Sequence, residues 1–157
     1  MEQTVFHHMR KVRGITEKSI KRIPEDASEV VPKGYNNNIK WNFGHIAYVQ
    51  ENLVFGVVGE ESGLPVEYKE LFSPGTKPAD WKIAPPLLPE IETILTEQQS
   101  RVEEFLTGRL EEKLITPFTN SRGLTFNTLG ETFLFSFYHE AMHMETIKSI
   151  YRLAKSK

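Results

Sequence analysis

The sequence predicts an all-α fold, a four-helix bundle with long crossover connections. Three observations carry that expectation. Apolar residues recur at helical spacing in four separate stretches, residues that start and stop helices stand at their ends, and no period-2 sheet pattern, internal repeat or low-complexity tract competes with them.

The first stretch places Val5, Met9, Val12, Ile15 and Ile20 on a narrow stripe that stops near Pro24. Its other positions are basic (Arg10, Lys11, Arg13, Lys18, Lys21 and Arg22), which reads as a solvated outward face. After Pro32-Lys-Gly34, the run Asn36-Asn-Asn38 offers an N-cap for a second helix from Ile39 to about Val57, ended by Gly59. Gly44 and Gly56 inside it each cost about 1 kcal/mol against alanine, so Gly44 implies close packing or space beside a ligand. Residues 59 to 89 hold three glycines and six prolines. So long and irregular a connection suggests, around Phe72 to Trp81, either a cover near the mouth of a site or a plain packed crossover connection.

Pro89 opens a third helix through Ile91, Ile94, Leu95, Gln98, Val102, Phe105 and Leu106, closed by Gly108. Leu114 to Phe118 and Leu124 to Phe126, on either side of Asn120-Ser-Arg-Gly123, could form a small hairpin, against which Pro117 argues. Thr128-Leu-Gly-Glu131 is a capping box for a fourth helix that reaches roughly Leu153. Between residues 133 and 144 that helix is apolar on nearly every side, which predicts that it is covered all round and makes a homodimer the expected assembly.

The 157 residues suit one domain, and 39% hydrophobic with 25% charged residues is the composition of a globular protein. A net charge of −2, with 19 basic residues interspersed among 21 acidic ones, argues against a nucleic-acid partner. No apolar run reaches membrane-spanning length, so no membrane partner is expected. The absence of cysteine removes disulfides, thiolate ligands and a cysteine nucleophile, and suits a cytoplasmic location.

Chemistry enters through histidine. His139 and His143 stand one helical turn apart within Phe133-Leu-Phe-Ser-Phe-Tyr-His-Glu-Ala-Met-His-Met144 and can share one ion. With Glu140 they match the H-E-x-x-H pattern of zinc proteases. The continuation does not fit, because Thr146 and Ser149 stand where a metzincin carries Gly and His. The sole carboxylate after His143 is Glu145, on the opposite side of the helix. The third ligand must come from upstream. His7 and His8 only flank the first stripe, whereas His45 sits among aromatic and aliphatic neighbours in the second helix. His45, His139 and His143 are therefore the expected ligands of a catalytic-type site with an open position. Zinc is the default ion, with nickel, iron, cobalt or manganese as alternatives. Asn42 and Ser136, each one turn before a ligand, are the expected supporting groups. Glu140, about 60° around the helix from His143, is either a candidate proton acceptor or an outward-facing or salt-bridged surface glutamate.

Trp41-Asn-Phe-Gly-His45-Ile and His139-xxx-His143, in this order and spacing, make the chain resemble the DinB/YfiT-like superfamily of small metalloenzymes. The resemblance spans nearly the whole chain and implies one DinB-like domain over residues 1–157. It also implies a four-helix bundle with a metal on His45, His139 and His143, and frequently a homodimer. Its relatives include thiol-dependent transferases and isomerases. The expected function is thus a metal-dependent enzyme acting on a small-molecule substrate, as a low-molecular-weight thiol S-transferase or a hydrolase. A non-catalytic metal-stabilised bundle and, behind it, an H-E-x-x-H protease are the alternatives. Glu140 directly after the first ligand of the pair departs from the commoner family pattern.

Overall fold

The computed structural model describes residues 1–155. Six α-helices follow in the order α1 (Glu2–Ile20), α2 (Glu25–Glu29), α3 (Ile39–Val54), α4 (Glu67–Phe72), α5 (Leu88–Leu106) and α6 (Leu129–Lys155). A two-stranded antiparallel sheet, β1 (Lys113–Thr119) with β2 (Thr125–Thr128), precedes α6. The chain is therefore mostly helical, and all-α is too narrow a description. Pairing is irregular between Lys113 and Phe118, the stretch that contains Pro117, whose missing N–H cannot serve a ladder.

The four long helices contact one another in a ring: α3 lies against α6 and α5, and α1 against α5 and α6. Two clusters fill the space between them. One gathers Ile39, Phe43, Ile46, Leu71, Phe72, Ile91, Leu95 and Ile147, the other Phe6, Met9, Val54, Val102, Leu106, Leu129 and Phe133. None of the described helices is long and apolar enough to cross a membrane.

Local chemistry sets the helix ends. Asn38 caps α3 by accepting from the Trp41 N–H at 2.7 Å, and α3 tightens into a 3-10 turn at Gly56–Val58 before Gly59 turns left-handed at φ +79. The capping box at the start of α6 forms, with the Glu131 N–H donating to Thr128 Oγ1 at 3.2 Å and Glu131 Oε2 accepting from the Thr128 N–H at 3.2 Å. Gly130 lies so close to α5's trailing loop that an added Cβ would stand 2.5 Å from the Leu110 carbonyl oxygen.

Two helices face differently from the sequence expectation. On α1 the buried residues are Phe6, Met9, Arg13, Thr16 and Ile20, at alternating spacings of three and four, while Ile15 is 59% exposed. Arg13, expected outside, is 1% exposed. Nor is α6 covered all round, since Leu134 and Tyr138 are about half exposed.

Candidate metal centre

The first requirement for a site is that its side chains meet. His45 from α3 and His139 and His143 from α6 do so, each presenting one ligand nitrogen within 4.8 Å of the others. Nε2 of His45 and Nε2 of His139 lie 3.3 Å apart. Two nitrogens bound to one tetrahedral ion at about 2.0–2.1 Å would be separated by roughly 3.3 Å. His7 and His8 are exposed on α1, and His8 packs edge-on against Phe137 instead of joining the trio.

The second requirement is a defined tautomer. His45 Nδ1–H donates to the Phe72 carbonyl at 2.7 Å, so its Nε2 carries the free lone pair. His143 Nδ1–H donates to Asn42 Oδ1 at 2.7 Å. The amide of Asn42 is itself oriented, because its Nδ2 donates to the Asn38 carbonyl at 2.7 Å. The residue that caps α3 thereby fixes the group that aims His143. Trp41, one turn before His45, stacks on its ring at 4.3 Å and 16°, and its Nε1–H is held by Thr76 Oγ1 at 2.9 Å.

Burial determines the charge state. Desolvation pushes His139 down to about 3, with the charges of His143 and His45 adding to the effect. It pushes His143 down to about 4, helped by His45. His45 is lowered by desolvation too, partly offset by its bond to Phe72. All three rings are neutral at physiological pH, the state in which imidazole binds metal.

The connection between α3 and α5 supports the centre directly. Besides the Phe72 carbonyl, the Phe72 ring packs on Gly44, where an added Cβ would sit 2.5–2.6 Å from ring atoms. Close packing, the first of the two reasons expected for Gly44, is the one the structure supplies. Pro74, from the same connection, helps to line a cavity of about 450 Å³ that opens beside His45 and His139. Its walls are Val49, Leu53, Phe118, Phe135 and Met142, and its rim is the hairpin tip from Thr119 to Arg122.

Two of the expected accessory residues point elsewhere. The Ser136 hydroxyl donates to the Phe133 carbonyl at 2.6 Å and accepts from Gln50 Nε2 at 3.1 Å. The Glu140 carboxylate, 2% exposed, is engaged by Arg13 Nε at 3.2 Å and by the Thr16 hydroxyl at 2.5 Å. Trp41 and the Phe72 carbonyl went unassigned in the sequence. Trp41 was findable from its spacing to His45, whereas a backbone carbonyl leaves no residue signature.

Comparison with known proteins places this architecture. The family model described as the DinB superfamily matches residues 8–147. The chain belongs to the DinB superfamily. No curated protein matches the sequence. A solved structure titled "Crystal structure of the conserved protein of locus from Enterococcus faecalis" superposes with a TM-score of 0.70 over 100% of this chain and 98% of that one. At 14% identity the likeness concerns the fold. The superfamily includes metal-binding members, and this DinB-superfamily chain carries a histidine triad in position to bind an ion.

Proposed function

We propose that this protein is a metal-dependent enzyme acting on a small molecule, either a low-molecular-weight thiol S-transferase or a hydrolase. The reading takes residues 1–157 as one DinB-like four-helix-bundle domain with His45, His139 and His143 as ligands. The observation that carries it is the position of the trio: three neutral imidazoles from two helices, bordered by a cavity of a size suited to a small ligand. A purely structural ion would call for a fourth protein ligand, and no other His, Cys, Asp or Glu joins the trio among the described residues.

The donor set fits a divalent transition ion, with zinc as the first choice and nickel, iron, cobalt or manganese compatible with imidazole. Such an ion would supply Lewis acidity, lowering the pKa of a water or thiol brought to it. The chain's own residues do the rest. Phe72 and Asn42 hold His45 and His143 in the ligating tautomer, Trp41 shields one face of His45, and the apolar walls exclude bulk water from the body of a substrate. Glu140 is assigned to structure, not proton transfer, because Arg13 and Thr16 occupy its carboxylate. That assignment removes the base a protease of the H-E-x-x-H type needs. A homodimer belongs to the same proposal, with the exposed Leu134, Tyr138 and Leu153 of α6 as its apolar face.

The test is a panel of thiol-transfer and ester or amide hydrolysis reactions, run on metal-loaded protein with and without chelator. Chelator-sensitive turnover in either class supports the proposal. Metal-loaded protein that leaves every substrate unchanged, with a cobalt spectrum insensitive to added thiol or azide, would replace it with a closed, metal-stabilised bundle.

A further inference from the structure

The cavity beside the histidines has an asymmetric lining. Six of its lining residues are apolar, none is acidic, and its one formally charged side chain is Arg122. Arg10, Arg13, Arg101 and Arg109 all spend their guanidinium groups on carboxylates, respectively Glu103, Glu140, Glu51 and Glu112. Arg122 has no such partner among the described residues, and its guanidinium is exposed at the rim.

The backbone beneath Arg122 is held in place. Asn120 Oδ1 accepts from the N–H groups of Arg122 at 2.9 Å and Leu124 at 3.0 Å. The Gly123 N–H closes the turn on the Asn120 carbonyl at 3.0 Å, with Gly123 itself at φ +78, a conformation that suits glycine. Behind the turn, Phe118 stacks on Phe126 at 6.0 Å, and Phe126 packs on Phe135 of α6 at 4.9 Å. The arginine is thus delivered by a braced hairpin anchored to the helix that carries two of the histidines.

We propose that Arg122 reads a carboxylate on the substrate, so that the preferred substrate is a monoanionic molecule with an apolar body. In that pose the reacting end lies at the histidines, the body along Phe118, Phe135 and Leu53, and the carboxylate on the guanidinium. A single arginine, with no lysine in the lining, matches one carboxylate through its planar fork. The polar groups of Thr119, Asn120 and Ser121 at the same rim extend the hydrogen-bonding surface around that group. The proposal rests on the reading of the histidine trio as an ion site.

The experiment loads the protein with cobalt(II) and follows the thiolate-to-cobalt absorption on titration with mercaptohexanoate and with length-matched mercaptohexanol. Wild type is expected to bind the acid on the order of tenfold more tightly than the alcohol, the usual scale of a charge-assisted hydrogen bond. The preference should shrink as salt is raised, because the guanidinium is exposed. Arg122→Gln should weaken the acid alone and erase the preference, and Arg122→Lys should retain part of it. An undiminished preference in Arg122→Gln would assign the effect to the ion and overturn the proposal, as would thiol binding by wild type with no preference at all. Failure of wild type to take up cobalt would instead overturn the ion-site reading, and this proposal with it.

Discussion

Residues 139 and 140 are neighbours on α6, yet they belong to two polar clusters built on opposite principles, one half-buried and one buried. Around Glu140, polar groups find protein partners. Arg13 reaches the Leu95 carbonyl at 3.0 Å and Gln50 at 2.6 Å as well as the carboxylate, and Gln50 passes on to Ser136. Around His139, the nitrogens not used for orientation converge on one another and on a cavity. The first cluster is closed and ties α1, α3, α5 and α6 together. The second is open on one side. Neutral imidazole nitrogens that converge beside a cavity are placed to bind an ion, whereas the side chains of the closed network bind one another.

The largest effect that would separate the two clusters comes from Glu140→Ala. It leaves Arg13 charged and without its carboxylate in the core, which should destabilise the fold by about 3–5 kcal/mol. Urea denaturation reads the loss, while the metal bound per folded chain should stay at the wild-type value. A variant of unchanged stability that loses its metal would move Glu140 from the closed cluster to the open one. Next in size is Asn42→Ala, which removes the acceptor that aims His143 and should weaken metal affinity about 10- to 100-fold. Competition with a chromogenic chelator measures it, and an unchanged affinity would show that His143 needs no such support.

The histidine pair was legible because its chemistry and spacing are written in residue types: two imidazoles one turn apart, with a third on another apolar helix. The helix ends were legible for the same reason, through Asn38 at the start of α3 and the Thr128–Glu131 box of α6. The closed cluster was not. A buried stripe of which Arg13 and Thr16 form part does not register as apolar, so the face of α1 shifted toward Ile15, which is exposed. Ser136 and Glu140 contact the closed cluster, because helical spacing places a residue within a turn of a ligand without saying which neighbouring helix its side chain meets. The placement of the hairpin tip at the cavity depended on packing of Phe126 against Phe135, a tertiary contact with no local signature.

A smaller effect concerns pH. A free imidazole titrates near 6.5, which would have protons displacing metal below about pH 6. Burial lowers the folded-state values of His139 to about 3 and His143 to about 4. As pH falls from 6.5 the unfolded chain therefore takes up protons first. The stability associated with these neutral rings is present above pH 6.5 and is lost as pH falls toward 4. Metal-free protein should show a falling urea midpoint across that window. Metal content in the folded protein should hold between pH 7.5 and about 5.5, instead of dropping at 6. A flat urea midpoint, or metal release already at pH 6, would mean that the rings are hydrated like surface histidines.

Metal stoichiometry tests the central claim most directly. Titration of chelator-stripped protein with zinc, read by calorimetry and elemental analysis, should give one ion per chain. His45→Ala, His139→Ala and His143→Ala should each lose most of the bound metal, because two imidazoles make a weak site. A His7→Ala, His8→Ala double variant should bind as wild type does. Full retention of zinc by His45→Ala, with loss in the His7, His8 variant, would contradict the three-histidine centre.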